Sequence, residues 1–258
     1  MPAGKLRMMA NAMFDLSGKV ALVTGGSRGM GLSMVRGLAA AGADVIIASR
    51  KLEACEAAAR EVEALSRKGL GIACHMGHWD QVDALVDAAY AAFGKVDILV
   101  NNAGMAFHTP SSDGTTEAAF DKIMDVNFKG PFRLSAAVAR RMADGEGGSI
   151  INISSTSALL ARPFDTCYAA AKAALNMASA AFAQEYGPKV RVNVISPGPF
   201  LTDISKAWTE ETRAAVSNSN ALRRPAEPEE IVATVLYLAS GASSFTTGAL
   251  IRVDGGLF

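Results

Sequence analysis

Tyr168 and Lys172 lie four residues apart in the stretch Cys167-Tyr168-Ala169-Ala170-Ala171-Lys172. On a helix that spacing puts both side chains on one face. A phenol titrates near pH 10, about three units above neutrality, so it exchanges protons poorly unless a nearby cation favours its anion. Lys172 supplies such a cation. Thirteen residues before Tyr168, in Ser154-Ser155-Thr156-Ser157, stands Ser155, whose hydroxyl can hold a carbonyl or alcohol oxygen while the phenol gives or takes a proton. Tyr-x-x-x-Lys alone is a weak signal. Tyr90, Tyr186 and Tyr237 have no lysine at that spacing, and the pair gains weight only from the ordered set around it: a glycine-rich loop, Asn101-Asn102-Ala103-Gly104, the serine, the Tyr-Lys pair and Pro197-Gly198.

The glycine-rich loop reads Thr24-Gly25-Gly26-Ser27-Arg28-Gly29-Met30-Gly31. It follows an apolar run, KVALVT at 19–24, and opens a helix-like stretch. Glycines at such a junction let the backbone turn sharply and approach a pyrophosphate, whose charge meets the free N–H groups of the helix start. This is a dinucleotide cradle, and a bound nicotinamide would supply the hydride that the proton chemistry of Tyr168 lacks. About 20 residues on, an NAD site is expected to carry an acidic residue against the ribose hydroxyl. This chain has Ser49, Arg50 and Lys51 there. A hydroxyl beside a guanidinium suits a 2′-phosphate, with Arg28 near enough to help, so NADP(H) is favoured over NAD(H). The same cations would also suit the solvated start of a helix, as the i,i+4 pair Glu56 and Arg60 does for its outer face.

These groups need a frame. Apolar runs recur at 19–24, 43–48, 71–74, 96–100, 149–154, 190–195 and 249–253, separated by Ala-rich stretches of helical length. Strand and helix in alternation predict an α/β fold with a mostly parallel sheet of seven strands and helices on both faces. The longest stretch without a clear strand or helix is 197–227, and a loop of that length reads as a substrate lid. We expect a tail over 1–15 and one domain over 16–258. Of the 258 residues, 50% are hydrophobic and 19% charged, enough for a sizeable core. The 25 basic and 25 acidic residues cancel, which argues against a nucleic-acid or anionic-lipid partner and for a small molecule. No apolar run approaches the roughly 18 to 20 residues of a membrane span. The N-terminal stretch has no signal-peptide core, and Cys55, Cys74 and Cys167 are an odd set suited to a reducing compartment, so a cytoplasmic protein is expected.

Over about residues 16–256 the chain resembles the short-chain dehydrogenase/reductase family, with its three-layer Rossmann-type fold. The family pattern TGxxxGxG is met by Thr24, Gly25, Gly29 and Gly31. By that resemblance the catalytic set is Asn127, Ser155, Tyr168 and Lys172, with Asn127 kinking its helix and holding a water in a proton relay. Lys172 would also bind the cofactor ribose. Cofactor contacts would come from Gly25, Ser27, Arg28, Gly29, Met30, Gly31, Ser49, Arg50, Asn102, Ala103, Gly104, Tyr168, Lys172, Pro197, Gly198 and Thr202. Asn102 would lie beside the ribose and Thr202 beside the nicotinamide carboxamide. The implied activity interconverts a carbonyl and a secondary alcohol. An NAD-linked alcohol or sugar dehydrogenase is the runner-up, and a nucleotide-sensing protein without catalysis is a third reading. The helix of Tyr168 and the long one around Glu117 to Met142 would build a homodimer or homotetramer.

One departure concerns the third strand, after which the family carries an Asp for the adenine amino group. Here His75 takes that place, in Cys74-His75-Met76-Gly77. Cys74, His75 and His78 lie close together but have no further Cys or His pair at ligand spacing, so no metal is expected. Cys167 reads as a buried, inert thiol. Met8, Met9 and Met13 read as packing on the body or staying mobile. His108 reads as lining the substrate mouth or as exposed. Leu159, Arg162, Phe164, Phe200, Ile204 and Trp208 would contribute to the substrate pocket, without choosing between a 3-oxoacyl thioester, a steroid-like ketone and a polyol.

Overall fold

The computed structural model describes residues 13–106, 111–160, 162–203, 205 and 208–257. Met8, Met9, His108 and Ile204, and most of the expected tail, lie outside these residues. The seven apolar runs form seven parallel strands: β1 Val20–Thr24, β2 Asp44–Ser49, β3 Gly69–Ala73, β4 Ile98–Asn101, β5 Gly148–Ile153, β6 Val190–Pro197 and β7 Leu250–Val253, in the order β3-β2-β1-β4-β5-β6-β7. The order reverses between β1 and β4, where an open α/β sheet has its ligand crevice. Strands β1 and β4 are buried along their whole length, whereas edge strands β3 and β7 are mostly half-exposed.

Helices α1 Gly29–Ala40, α2 Leu52–Ala64, α3 Trp79–Phe93, α4 Glu117–Met124, α5 Gly130–Asp144, α6 Thr166–Glu185, α7 Glu210–Asn218 and α8 Val232–Ala239 connect or flank the strands. Two apolar clusters hold the layers. Met34, Val35 and Leu38 of α1 and Val235 and Leu238 of α8 pack on one face of the sheet. Val82, Leu85 and Val86 of α3 pack with Leu134 and Val138 of α5 on the other.

One reading changes. The stretch 197–227 contains a helix, α7, started by the Thr209 hydroxyl accepting from the Thr212 N–H and by Glu210 and Glu211 in its first turn. None of its residues is buried, so it has no apolar face by which to be recognised. The long helix around Glu117 to Met142 is interrupted by one π-helical turn, Asp125–Lys129, between α4 and α5, at the kink expected of Asn127.

Candidate active site

The loop after β1 approaches the chain leaving β4 so closely that side chains are excluded. A Cβ on Gly31 would lie 2.1 Å from the Gly25 carbonyl oxygen, and one on Gly25 would lie 2.9 Å from Ala103 Cα. Gly25 and Gly29 also have φ of +64° and +53°, a region glycine enters without strain. Helix α1 starts at Gly29 with no side-chain cap from Arg28 and no acidic residue in its first turn. Its N–H groups and its positive end are therefore suited to an anion.

Asn102 and Ala103 are tied to this loop. The Thr24 hydroxyl accepts from the N–H groups of both, each at 3.1 Å, and the Asn102 amide donates to the carbonyls of Thr24 and Gly25 at 3.0 and 3.2 Å. Met30 lies in the first turn of α1. Pro197 ends β6, and Gly198 passes Asp254 so closely that a Cβ would lie 2.7 Å from its Cα. Thr202, four residues beyond Gly198, lies beside Gly29, where a Cβ would be 3.8 Å from the threonine side chain. Gly29, Leu201, Thr202, Asp203, Ser205 and Arg213 line a cleft of about 310 Å³. Phe200 is buried in the core with Ile195 and Ile231 rather than lining a pocket. Leu159, Arg162 and Phe164 are exposed.

At the end of β2 the Ser27 hydroxyl donates to Ser49 Oγ at 2.9 Å, and Ser49 Oγ lies 3.0 Å from Cys55 Sγ. Arg50 is exposed and has no ion-pair partner among the described residues. Arg28 instead reaches Asp203 at 3.3 Å. His75 lies just beyond β3. Its Nδ1 accepts from the Gly77 N–H at 3.1 Å, and its ring stands 4.6 Å from that of His78. Burial, then the charges of His78 and Arg50, holds the imidazole below its ordinary pKa against an opposing backbone hydrogen bond. Among the described residues no three His, Cys, Asp or Glu side chains are grouped to hold a metal ion. Cys167 is half-buried.

The π-turn has a local cause. The buried Asn127 amide donates to the carbonyl of Ile123, four residues back, at 3.0 Å, taking part in place of the regular helix ladder. It also donates to the Met105 carbonyl at 2.9 Å, while Oδ1 accepts the Met105 N–H at 3.1 Å. Gly104 is thereby held between Asn127 and Lys172: a Cβ there would lie 3.0 Å from Asn127 Oδ1 and 3.4 Å from Lys172 Nζ.

Helix α6 brings Tyr168 and Lys172 to the end of β5. Lys172 is 3% exposed and donates from Nζ to the Ile153 carbonyl at 2.8 Å. Its ammonium stands 5.9 Å from the centre of the Tyr168 ring. Burial pushes the Lys172 pKa down to about 8. Tyr168 departs from the expected direction. Burial raises its phenol above the ordinary value, a hydrogen bond with Ser155 opposes this, and the charge of Asp165 adds to the rise. The Ser155 hydroxyl also accepts the Ser157 N–H at 3.1 Å. Asp165, which the sequence motifs do not single out, directly precedes α6. It is 4% exposed, makes no capping hydrogen bond, and its Oδ1 has no partner among the described residues.

A glycine-rich turn at the switch point of a parallel sheet, with Ser155, Tyr168 and Lys172 near it, suits nucleotide-dependent oxidoreductase chemistry. The family profile described as short chain dehydrogenase matches residues 19–213. The chain belongs to the short-chain dehydrogenase family, whose members bind NAD(P)(H), and it is an oxidoreductase acting on alcohol or carbonyl groups. It is 36% identical to D-threitol dehydrogenase of Mycolicibacterium smegmatis over 94% of each chain. To D-erythrulose reductase of Gallus gallus it is 38% identical, over 94% of this chain and 97% of that one. The 7α-hydroxysteroid dehydrogenase solved with NADH and 7-oxo glycochenodeoxycholic acid superposes with a TM-score of 0.91 at 33% identity, covering 96% and 97% of the two chains. A blue fluorescent protein from a metagenomic library, solved with NADPH, gives 0.88 at 35% identity over 94% and 98%. No helix among the described residues is long and apolar enough to cross a membrane.

Proposed function

We propose that this chain is an NADP(H)-dependent oxidoreductase that reduces a ketone to a secondary alcohol, and reverses that reaction, with Ser155, Tyr168, Lys172 and Asn127 as its working set. The observation that carries the reading is the convergence of Ser155 and the Tyr168-Lys172 pair beside Gly104 and the glycine cradle. The cradle fits a dinucleotide because its close approaches leave room for backbone alone. At the end of β2, Ser49 and the exposed Arg50 suit a 2′-phosphate, and the carboxylate that would repel one is absent from 49–51.

When bound, the nicotinamide supplies or accepts the hydride. Ser155 holds the reacting oxygen by its hydroxyl. Tyr168, whose phenol titrates above its ordinary value, donates its proton to that oxygen as the carbonyl becomes an alcohol. Lys172, anchored on Ile153, presents a buried charge that favours the resulting phenolate and a donor to the ribose. Asn127 fixes the main chain at Met105 and so the placement of Gly104. We also assign the protein to the cytoplasm, where free thiols stay reduced, and to a homodimer or homotetramer. Exposed Phe120 on α4 and Met177 on α6 suit such an interface, and light scattering would read the assembly as a multiple of the monomer mass.

A second reading, an NAD-linked polyol dehydrogenase, draws on the D-threitol dehydrogenase relative and on the neighbour solved with NADH. The test follows NADPH and NADH oxidation in parallel against 3-oxoacyl thioesters, aromatic ketones, diketones and keto-sugars. Faster turnover with NADPH supports the first reading and faster turnover with NADH the second. Dinucleotide binding with no turnover of any substrate would leave a nucleotide-sensing protein.

A further inference from the structure

Asp165 is a buried carboxylate that the proton chemistry above does not use. Its Oδ1 is covered and has no hydrogen-bond partner among the described residues, a costly state for any acceptor and more so for one that can carry charge. The side chain does not cap its own helix. The positive end of α6 nevertheless favours a negative charge there. It stands three positions before Tyr168, and the carboxylate lies near enough to act electrostatically on the phenol. Among the described residues nothing donates to Oδ1, so a hydrogen bond to it would have to come from outside them.

We propose that Asp165 is a substrate-binding residue that accepts a hydrogen bond from a hydroxyl on the carbon next to the reacting carbonyl, making neutral hydroxyketones and the corresponding vicinal diols the substrate class. This rests on Tyr168 meeting the reacting oxygen. With the carbonyl oxygen at the phenol, a hydroxyl on the adjacent carbon is the substrate group that can present a hydrogen to a neighbouring carboxylate. A 3-oxoacyl thioester has no such hydrogen to give. A sugar acid brings a second negative charge, which Asp165 repels.

The test compares 3-hydroxy-2-butanone with 2-butanone, which lacks only the hydroxyl, using NADPH and NADH, in the wild type, Asp165→Asn and Asp165→Ala. The readout is the ratio of kcat/KM for the two ketones within each protein. Partial misfolding or an altered Tyr168 pKa moves both ketones together and leaves the ratio unchanged. The wild type should favour the hydroxyketone by about tenfold to a hundredfold, the range of a charge-assisted hydrogen bond. Asp165→Ala should reduce that preference to within about twofold, and Asp165→Asn, which retains a carbonyl acceptor, should fall between. Equal preference in the wild type, or an unchanged preference in Asp165→Ala, overturns the assignment while leaving the reductase reading intact. Turnover of neither ketone with either dinucleotide overturns the hydroxyketone assignment, and the reductase reading falls with it only if the wider ketone panel is silent as well.

Discussion

The two halves of the site are made of different materials. On the cofactor side, recognition comes from main chain exposed by glycine and from cations at the surface. Arg28 and its partner Asp203 have side chains 70% and 42% exposed, and Arg50 is exposed as well. On the proton-transfer side the supporting groups are buried side chains, Asn127 fully covered and Lys172 and Asp165 nearly so, around the half-buried Ser155 and Tyr168. Water screens the cations of the first set, which can be exchanged at little cost to stability, whereas its glycines admit no side chain. The buried members of the second set have given up hydration: Asn127 is bonded to Ile123 and Met105, Lys172 is bonded to Ile153 and pushed down to about 8 by its burial, and Asp165 Oδ1 has no partner among the described residues.

The comparison breaks most sharply at Tyr168. Replacing it with Phe removes one hydroxyl and leaves the ring that fills the space. Turnover should fall by about a thousandfold, within the span expected on removing a general acid, while NADPH affinity, read by nucleotide fluorescence, stays within about twofold because the cradle is untouched. A parallel fall in both would mean that the two halves are not separable.

Lys172 sharpens the same contrast through stability. Unfolded, its ammonium loses the proton near its ordinary 10.5; folded, it does so at about 8. Between those values the unfolded chain holds a proton that the folded chain has released, so stability rises as pH rises through that window. The full shift is worth on the order of 3 kcal/mol. Lys172→Met should erase this rise, read as the difference between wild-type and variant urea midpoints from pH 7 to 9.5. Below pH 8 the variant should be the more stable, less the cost of the orphaned Ile153 carbonyl. Parallel profiles would show that the ammonium is better solvated than its burial implies.

What could be read from the chain follows the same division. The interior strands were legible because burial on both faces leaves uninterrupted apolar runs. The glycine loop was legible because close approach of backbone admits one residue type, and Tyr168 and Lys172 because i,i+4 spacing fixes a shared face. Interactions between distant segments left no local mark. Arg28 reaches Asp203 across 175 positions, and Phe200, in what read as a pocket loop, enters the core. The kink at Asn127 is expected from the family resemblance, but its clasp on Met105, 22 positions away, shows only in the fold. Asp165 resembles any acid at a helix start until its burial is known.

The smallest effect tests the exposed side against itself. Arg28 and Arg50 carry the same charge, and sequence assigns both to a 2′-phosphate, yet one is engaged with Asp203 and the other has no ion-pair partner among the described residues. Arg50→Asp puts repulsion where the phosphate would sit and should lower the NADPH to NADH ratio of kcat/KM by about tenfold to a hundredfold, the scale of one charge-assisted hydrogen bond. Arg28→Ala removes a guanidinium that must first leave Asp203, an exposed pair worth less than about 1 kcal/mol. Its change should stay within about threefold, and Asp203→Asn, by releasing Arg28, should move the ratio by a similar factor in the opposite direction. If Arg28→Ala matched Arg50→Asp, the Arg28–Asp203 pair would be a resting interaction that the dinucleotide breaks freely, and both cations would read the phosphate equally.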